Sequence, residues 1–181
     1  MRMLLVSLCH DSLSELEFVK PVSRILSKQG VNTSIKHYME ISLEDISPVE
    51  KVIVCGSALK DEEFLRSERF KWLEKCDKPV LCVGLGFQAL AKAFGCNLFN
   101  RTKIGVFNVK LVRGNVLIGE KRFHAFFLTR KAASISRPLE TLAKTGTLDC
   151  MIKHDSKDIY GCLFHPEVTR PEIILNFALR I

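Results

Sequence analysis

The sequence lacks the features that mark membrane, secreted and disordered proteins. Its 181 residues contain no apolar run long enough to cross a bilayer. The apolar stretch MLLVSL at 3–8 is interrupted by Cys9, His10 and Asp11 before it reaches the length of a signal peptide. No segment is of low complexity or rich in Pro, Gly and Ser. We therefore expect a single compact domain, residues 1–181, in the cytoplasm.

Acidic residues are missing from a long central segment. No Asp or Glu lies between Lys78 and Gly119, although six basic residues do: Lys78, Lys92, Arg101, Lys103, Lys110 and Arg113. The whole chain carries 27 Lys and Arg against 20 Asp and Glu, a formal charge of +7. Solvated side chains are one interpretation, and a surface for an anionic ligand or partner is the other. The basic residues are dispersed and not interleaved with aromatic ones, which disfavours nucleic acid.

Metal-binding patterns are also absent. No two of the seven cysteines have the spacing of a zinc site, their number is odd, and most lie inside apolar runs. This pattern predicts reduced, buried thiols. His10, His37 and His154 stand alone and are expected at the surface rather than as metal ligands. We expect no metal and no cofactor.

What the chain does contain is an alternation of strand-length apolar runs with segments of helical period. This order is typical of βα units around a largely parallel sheet. The runs predict strands at 3–8, 33–38, 51–56 and 79–83, with two late strands at 149–154 and 158–167, and helices at 12–29, 60–75, 87–94 and 170–181. Within 60–75, Phe64, Leu65 and Trp72 are expected to face inward. Pro21 is a possible restart point within the first helix.

The segment after Gly95 has a different character. Residues 104–130 read as short alternating runs separated by turns that contain glycine, which predicts antiparallel additions to the sheet. The polar stretch TRKAASISRP at 129–138 is expected to be a loop. The fold class that follows is α/β, with a mostly parallel central sheet between helical layers and added antiparallel strands.

The stretch KPVLCVGLGFQAL, Lys78 to Leu90, runs from the fourth predicted strand through two glycines into a helix. This is the pattern of a nucleophile elbow, in which a tight turn lifts one side chain above the sheet. The apex here is Gly84, which has no side chain. Gly84, Gly86 and Ala89 also fit a dinucleotide fingerprint. That interpretation is weaker, because the turn is not the first βα turn and the next acidic residue is Glu120.

Two segments together resemble the class I glutamine amidotransferases, including the glutaminase subunit of GMP synthase. KPVLCVGLGFQALAKAFG is similar to the family's elbow, and IYGCLFHPEVTRPEIILNF is similar to its C-terminal His-Pro-Glu motif. The resemblance covers nearly the whole chain, and the second motif is the more specific. It implies a flavodoxin-like three-layer sandwich with the elbow after the fourth strand.

The family hydrolyses glutamine through a Cys-His-Glu triad and passes ammonia to a synthetase or synthase partner. By resemblance, the general base falls on His165, its orienting carboxylate on Glu167, and the nucleophile on Gly84. Without a nucleophile in reach, a histidine base has nothing to activate. The resemblance therefore implies a chain that keeps the fold and lacks the family's reaction.

The remaining site positions also follow from the resemblance. The backbone amides of Gly56 and Leu85 correspond to the oxyanion hole. Gln88 and His124 lie in segments similar to the glutamine pocket. At the loop where the family carries Gly-Gly-Pro, this chain has CGSA.

Three functional hypotheses result. The first is a non-catalytic binding, regulatory or structural homologue, with a synthase partner or a second copy of itself and a glutamine-like or anionic ligand. The second is an active amidotransferase or hydrolase of altered chemistry, using Cys55 or a water activated by His165. The third is a nucleotide or anion binder at the helix N-terminus after Gly84.

Overall fold

The computed structural model describes all residues, 1–181, and its strands form a single nine-stranded sheet. The strands are β1 (Arg2–Ser7), β2 (Asn32–His37), β3 (Lys51–Val54), β4 (Val80–Val83), β5 (Asn97–Leu111), β6 (Arg122–Ser134), β7 (Leu139–Thr145), β8 (Leu148–His154) and β9 (Ile159–Cys162). The α-helices are α1 (Glu15–Phe18), α2 (Lys20–Ser27), α3 (Leu43–Ile46), α4 (Trp72–Lys75), α5 (Leu85–Ala93), α6 (Pro166–Thr169) and α7 (Pro171–Arg180).

The strand order is β2-β1-β3-β4-β9-β8-β7-β5-β6. The first five strands are parallel, and β8, β7, β5 and β6 continue the sheet in antiparallel fashion. This confirms the α/β class with a parallel half and antiparallel additions. Because the parallel strands all point the same way, the loops after β1, β3, β4 and β9 meet at one edge of the sheet.

The core explains why the parallel strands read as continuous apolar runs. All residues of β3, β4 and β9 are buried, as strands covered on both faces must be. A cluster of 55 buried apolar residues joins them to α2, α5 and α7. The apolar runs therefore predicted these strands to within two residues at each end, apart from the last one.

The last predicted strand ends early. Residues 158–167 were expected to be extended, but β9 stops at Cys162 and α6 begins at Pro166. Proline has a fixed φ and no amide hydrogen, which suits the first position of a helix. The early end places His165 at the point where strand gives way to helix.

The first predicted helix is divided rather than continuous. Residues Ser12–Ser14 form a 3₁₀ turn, α1 ends at Phe18, and α2 begins at Lys20 with Pro21 in its first turn. Proline has no amide hydrogen to donate to the preceding turn, so the helix restarts there, as the sequence suggested. The side chain that caps the 3₁₀ turn is Asp11, whose carboxylate accepts from the Leu13 amide.

The prediction of one helix over 60–75 was wrong. The structure has a 3₁₀ turn at Glu63–Arg66 and the single-turn helix α4. The residue of α4 that faces inward is Leu73, fully buried, while Trp72 is only partly buried. Between the two pieces, Arg69 donates to the carbonyl of Met39, which fixes the segment as a loop.

The prediction of short runs over 104–130 was also wrong. β5 is 15 residues long and pairs with the 13-residue β6 as one antiparallel ribbon. Of the three glycines in this stretch, Gly105 lies inside β5 with φ 115°, whereas Gly114 and Gly119 lie in the connection between β5 and β6. Residues 129–134, expected to be loop, complete β6, and β7 was not predicted at all.

Two smaller expectations concern buried side chains. All seven cysteines are buried and unpaired, in agreement with the sequence pattern. His154 was expected at the surface and is buried instead. Its Nδ1 accepts from the Lys157 amide, and its ring packs edge-on against Phe94. No helix of the structure combines the length and the apolar character needed to cross a membrane.

Candidate functional site

The turn between β4 and α5 is built around Gly84. Its backbone has φ 56° and ψ −117°, a conformation that strains any residue with a β-carbon. The Gly84 amide donates to the Cys162 carbonyl over 2.8 Å, and its own carbonyl accepts from Phe87. These bonds fix the turn between two buried strands. Gly86 allows the close approach of α5 to β3, since a β-carbon there would lie 2.7 Å from the Val54 carbonyl oxygen.

His165 and Glu167 lie opposite this turn, where β9 has ended and α6 begins. The His165 amide donates to the Phe126 carbonyl over 2.8 Å, which joins this segment to β6. Its Nδ1 lies 2.7 Å from Oε1 of Glu167. Both side chains are almost wholly buried, with 2% and 1% of their surface exposed. The carboxylate therefore holds the imidazole in one orientation, away from solvent.

The imidazole of His165 fills the space between Gly56 and Gly84. A β-carbon on Gly84 would lie 2.7 Å from both Cε1 and Nε2 of the ring, and one on Gly56 would lie 2.5 Å from Cε1. Ordinary contacts between carbon atoms are about 3.5–4.0 Å. The ring can take this position only because both loops carry glycine there.

Two aromatic side chains cover the ring on its other sides. The ring centroid of Phe18, in α1, lies 5.7 Å from that of His165, and that of Phe126, in β6, lies 6.3 Å away. The sequence did not reveal either of them as a site residue. The alternating pattern of RFHAFF indicated a strand but gave no sign of what Phe126 would contact.

Three polar atoms of this region are buried without a hydrogen-bond partner: Nε2 of His165, Oε2 of Glu167 and Oε1 of Gln88. A buried polar atom left unpaired costs on the order of 1–3 kcal/mol. Gln88 is held by its other end, because its Nε2 donates to Oγ1 of Thr129 over 2.9 Å. The sequence segments therefore bring Gly84, His165 and Glu167 together in one buried cluster, while Gln88 is buried on α5 and is bonded to β6.

Comparison with known proteins identifies the group to which this arrangement belongs. Residues 13–177 match the model of the glutamine amidotransferase class-I family. The chain belongs to that family. The matched residues include the elbow turn, the His-Pro-Glu segment and most of α7.

Individual relatives agree with this assignment. A glutamine-hydrolyzing GMP synthase subunit of Methanothrix thermoacetophila is 30% identical over 148 residues, covering 77% of this chain and 82% of that protein. Anthranilate synthase component 2 of Saccharolobus solfataricus is 26% identical over 188 residues, covering 91% and 94%. A solved structure from Thermoplasma acidophilum, named for a GMP synthase subunit, superposes with a TM-score of 0.86 at 20% identity, over 98% of this chain and 92% of that one. That last likeness supports the flavodoxin-like fold alone.

The two residues predicted to supply an oxyanion hole, Gly56 and Leu85, lie in the segments that follow β3 and β4. Gly56 comes two residues after the end of β3, and its amide donates to no group of the chain. Leu85 is the first residue of α5, where amides precede the hydrogen bonds of the helix itself. In this amidotransferase-like chain the space between Gly56 and Gly84 is occupied by the His165 ring.

The thiols near the site are poor nucleophiles. Cys55 and Cys82 are fully buried, and burial raises the pKa of each thiol above its ordinary value. The carboxylate of Glu167 acts in the same direction on Cys55. Because the thiolate is the reactive form, neither cysteine is set up for attack on a substrate.

His124 lies apart from the buried cluster. It is exposed on β6, two residues before Phe126 and on the same face of the strand, opposite Asn108 of β5. Its carbonyl accepts from Nε of Arg170, while its imidazole makes no hydrogen bond within the chain. The structure therefore places His124 at the margin of the site and Phe126 against it.

The basic residues of the acid-free segment find separate partners. Lys92, at the end of α5, donates to the carbonyl of Leu65. Lys103 lies over the ring of Phe107, 3.7 Å from its centroid, and burial lowers the pKa of its ammonium. Arg113 forms an ion pair with Glu140. Each of these three contacts is separate from the others, so these three residues do not form one continuous basic cluster.

Proposed function

We propose that this class I glutamine amidotransferase homologue does not hydrolyse glutamine and acts as a binding, regulatory or structural subunit. In this proposal Gly84 stands where the family's cysteine would be, and His165 and Glu167 are what remains of the base and its orienting carboxylate. The observation that carries it is the imidazole of His165, which fills the space that a side chain at position 84 would need.

The burial of the site supports the same proposal. Acyl transfer from glutamine needs a nucleophile beside the base and room for the substrate's side-chain amide. His165 is 1% exposed, and the side chain of Glu167 is likewise 1% exposed. Neither group reaches a substrate in this conformation, and Nε2 of His165 has no partner to activate.

The two alternatives have less support. An altered enzyme that uses Cys55 would need a thiolate, and the burial of Cys55 opposes its ionisation. A water activated by His165 would need access to a buried nitrogen. An anion at the start of α5 would compete with the imidazole for the same space.

The partner proposal rests on the names of the relatives. Anthranilate synthase component 2 and the GMP synthase homologue are both named as parts of larger enzymes. We propose that this chain likewise works within an assembly, with a synthetase or synthase or with a second copy of itself, in the cytoplasm. The molar mass of the pure chain by light scattering distinguishes monomer from homo-oligomer.

The decisive experiment is glutamate release from glutamine by the pure protein, with His165→Ala as the matched control. We expect no turnover above the control. Loss of the family's nucleophile lowers the rate by on the order of 10⁴–10⁶. Turnover that disappears in His165→Ala would show that the histidine still serves a nucleophile, and the proposal would fail.

The activity of a Gly84→Cys variant tests whether the His165 ring leaves room for a side chain at position 84. We expect it to remain inactive, because its β-carbon meets the imidazole and the thiol has no room beside it. Gly84→Ser is the control for the fold. Rapid turnover by Gly84→Cys alone would contradict the occupied position, while the inactivity of the natural chain would stand.

A further inference from the structure

A cavity lies at the carboxyl ends of β1, β2 and β3. Its volume is about 540 Å³, and the residues that matter for its chemistry are His10, Tyr38, Lys60, Asp61, Glu63 and Phe64. The size is within the range of about 300–1,000 Å³ found for sites that bind small organic molecules. None of these residues belongs to the elbow, the His-Pro-Glu segment or the predicted glutamine pocket.

The position of this cavity follows from the topology. The chain goes from β1 outward to β2 on one side, and returns to β3 on the other side of β1. This reversal of strand order opens a crevice at the carboxyl ends of the strands, which is where α/β sheets bind ligands. The cavity is thus a place that the fold makes available independently of the elbow.

The decisive group is the carboxylate of Asp61, which is 5% exposed and forms no ion pair. Its Oδ2 accepts from the hydroxyl of Ser57 and from the His10 amide. Its Oδ1 accepts from no group of the chain, although the residue lines the cavity. A buried carboxylate without a cation is unusual, because buried charges are normally paired.

The other charged side chains of the cavity form no ion pair with the Asp61 carboxylate. Glu63 and Lys60 also line it, and neither takes part in an ion pair. Two carboxylates face one ammonium, so the lining is locally acidic in a chain whose net charge is +7. No three His, Cys, Asp or Glu side chains are placed to hold a metal ion. An organic cation needs no such set of ligands and can pair with a single carboxylate.

The remaining wall is aromatic and fixed in place. The ring of Tyr38 stacks on Phe70 with centroids 6.0 Å apart and meets Phe64 edge-on at 6.3 Å. Aromatic faces attract both apolar groups and organic cations. Because the rings support one another, the wall is formed before any ligand arrives.

We propose that this cavity binds a small organic cation that joins an ammonium group to an aromatic or apolar body. The ammonium pairs with Oδ1 of Asp61 and is supported by Glu63, and the body packs against Tyr38 and Phe64. None of the lining residues is among those predicted to bind glutamine, and the proposal does not depend on whether the elbow is active.

The test is a titration of the isotopically labelled full chain, followed by amide correlation spectra. The probe is 2-phenylethylammonium, compared with 3-phenylpropionate and 2-phenylethanol, which carry a negative charge and no charge on similar bodies. We expect binding of the amine at millimolar concentration, with shifts at 8–10, 38–39 and 57–64, and much weaker binding of the other two. Equal binding of all three, preference for the acid, or shifts elsewhere would overturn the proposal.

Variants locate the charge that matters. Asp61→Asn keeps the shape and an acceptor for the Ser57 hydroxyl, and we expect it to weaken amine binding at least about tenfold. Asp77→Asn removes the same charge from an exposed site outside the cavity and is expected to bind as the natural chain does. Glu63→Gln, at an exposed position, serves if Asp61→Asn fails to fold, with a smaller loss expected. Unchanged affinity in the folded cavity variants would refute the assignment.

Discussion

Two ring atoms of His165, Cε1 and Nε2, each lie 2.7 Å from the position that a β-carbon of residue 84 would take. Residue 84 therefore has two reasons to be glycine. Its φ of 56° disfavours a side chain, and the ring excludes one. These two effects can be separated by mutation.

Gly84→Ala should destabilise the protein more than a positive φ alone would. Gly95 is the matched control, because its φ is 76° and a β-carbon there would meet nothing within 4 Å. We expect Gly95→Ala to cost about 1–2 kcal/mol. Gly84→Ala should cost about 1–3 kcal/mol more, since it also overpacks the site. Urea denaturation measures both, and equal losses would mean that the ring moves aside freely.

The double variant Gly84→Ala with His165→Ala isolates the steric part. Removing the ring makes room for the new methyl group, so the loss in the double variant should be smaller than the sum of the two single losses. The expected coupling is on the order of 0.5–3 kcal/mol, as found for residues in contact. Additive losses would contradict the contact between position 84 and the imidazole.

Chemical modification tests the closure of the site in solution. Diethyl pyrocarbonate acylates accessible imidazoles, and His165 is 1% exposed whereas His10 and His124 are exposed. We expect His10 and His124 to react first and His165 to stay protected in the native protein, as read by mass spectrometry. The denatured protein provides the control, in which all five histidines should react. Rapid modification of native His165 would mean that the site opens readily.

Lys51 should contribute to stability by capping the last helix. Its Nζ donates to the carbonyls of Phe177 and Ala178, at 3.1 and 2.5 Å, near the C-terminus of α7. Burial lowers the pKa of this ammonium, so the two carbonyls take over much of the role that water plays for an exposed lysine. We expect Lys51→Met to cost about 1–3 kcal/mol, because two helix carbonyls lose their donor.

The control for that variant is Lys71→Met. Lys71 is exposed and forms an ion pair only with Glu68, three residues away, so its removal should change stability by no more than about 0.5 kcal/mol. Thermal denaturation of the two variants side by side gives the comparison. A similar small effect in both would show that the buried lysine is dispensable.

Alkaline pH should weaken the fold through its buried thiols. Burial raises the pKa values of Cys55, Cys82, Cys150 and Cys162 above the ordinary value of 9.0. Below that value the thiols are protonated in both states, and their contribution is constant. Above it the unfolded chain loses protons that the folded chain retains, so the free energy of unfolding falls as pH rises.

The corresponding measurement is urea denaturation between pH 7 and pH 10 under reducing conditions. We expect a steeper decline above about pH 9 in the natural chain than in Cys55→Ala, which lacks one of the thiols. Cys55→Ala loses some stability at every pH because it leaves a small cavity. A parallel pair of curves would indicate that Cys55 does not contribute to the alkaline loss.

The sequence was most informative where one segment determines its own structure. The buried runs of β1, β3 and β4 need apolar residues on both faces, and the tight turn after β4 favours glycine at 84, so both could be predicted directly from the sequence. The helix predicted at 60–75 failed although Leu65, Trp72 and Leu73 recur at helical spacing, because tertiary context overrides such a local pattern. The backbone there forms separate i→i+3 turns instead. Gly105 misled because glycine at positive φ serves a long strand as well as a turn.

The details of the site depend on contacts between distant segments. Gly56, Gly84 and His165 come from three separate parts of the chain, and no local pattern states that the ring would lie between the two glycines. The same is true of Asp61, which shares a cavity with His10 and Tyr38 only because β1 and β2 lead into it. The sequence motifs indicated which residues would lie near one another, and the packing of distant segments determined the distances between them.

The two glycines that hold the imidazole of His165 also bear on the evolutionary history of the chain. Under the proposed function, a single mutation that returned cysteine to position 84 would arrive in an occupied space and lower stability before it conferred any activity. A change that first shifts His165 would have to precede it. Under the same proposal, reversion to an active enzyme needs two mutations in a fixed order. The packing around the His165 ring disfavours the cysteine until that ring has moved.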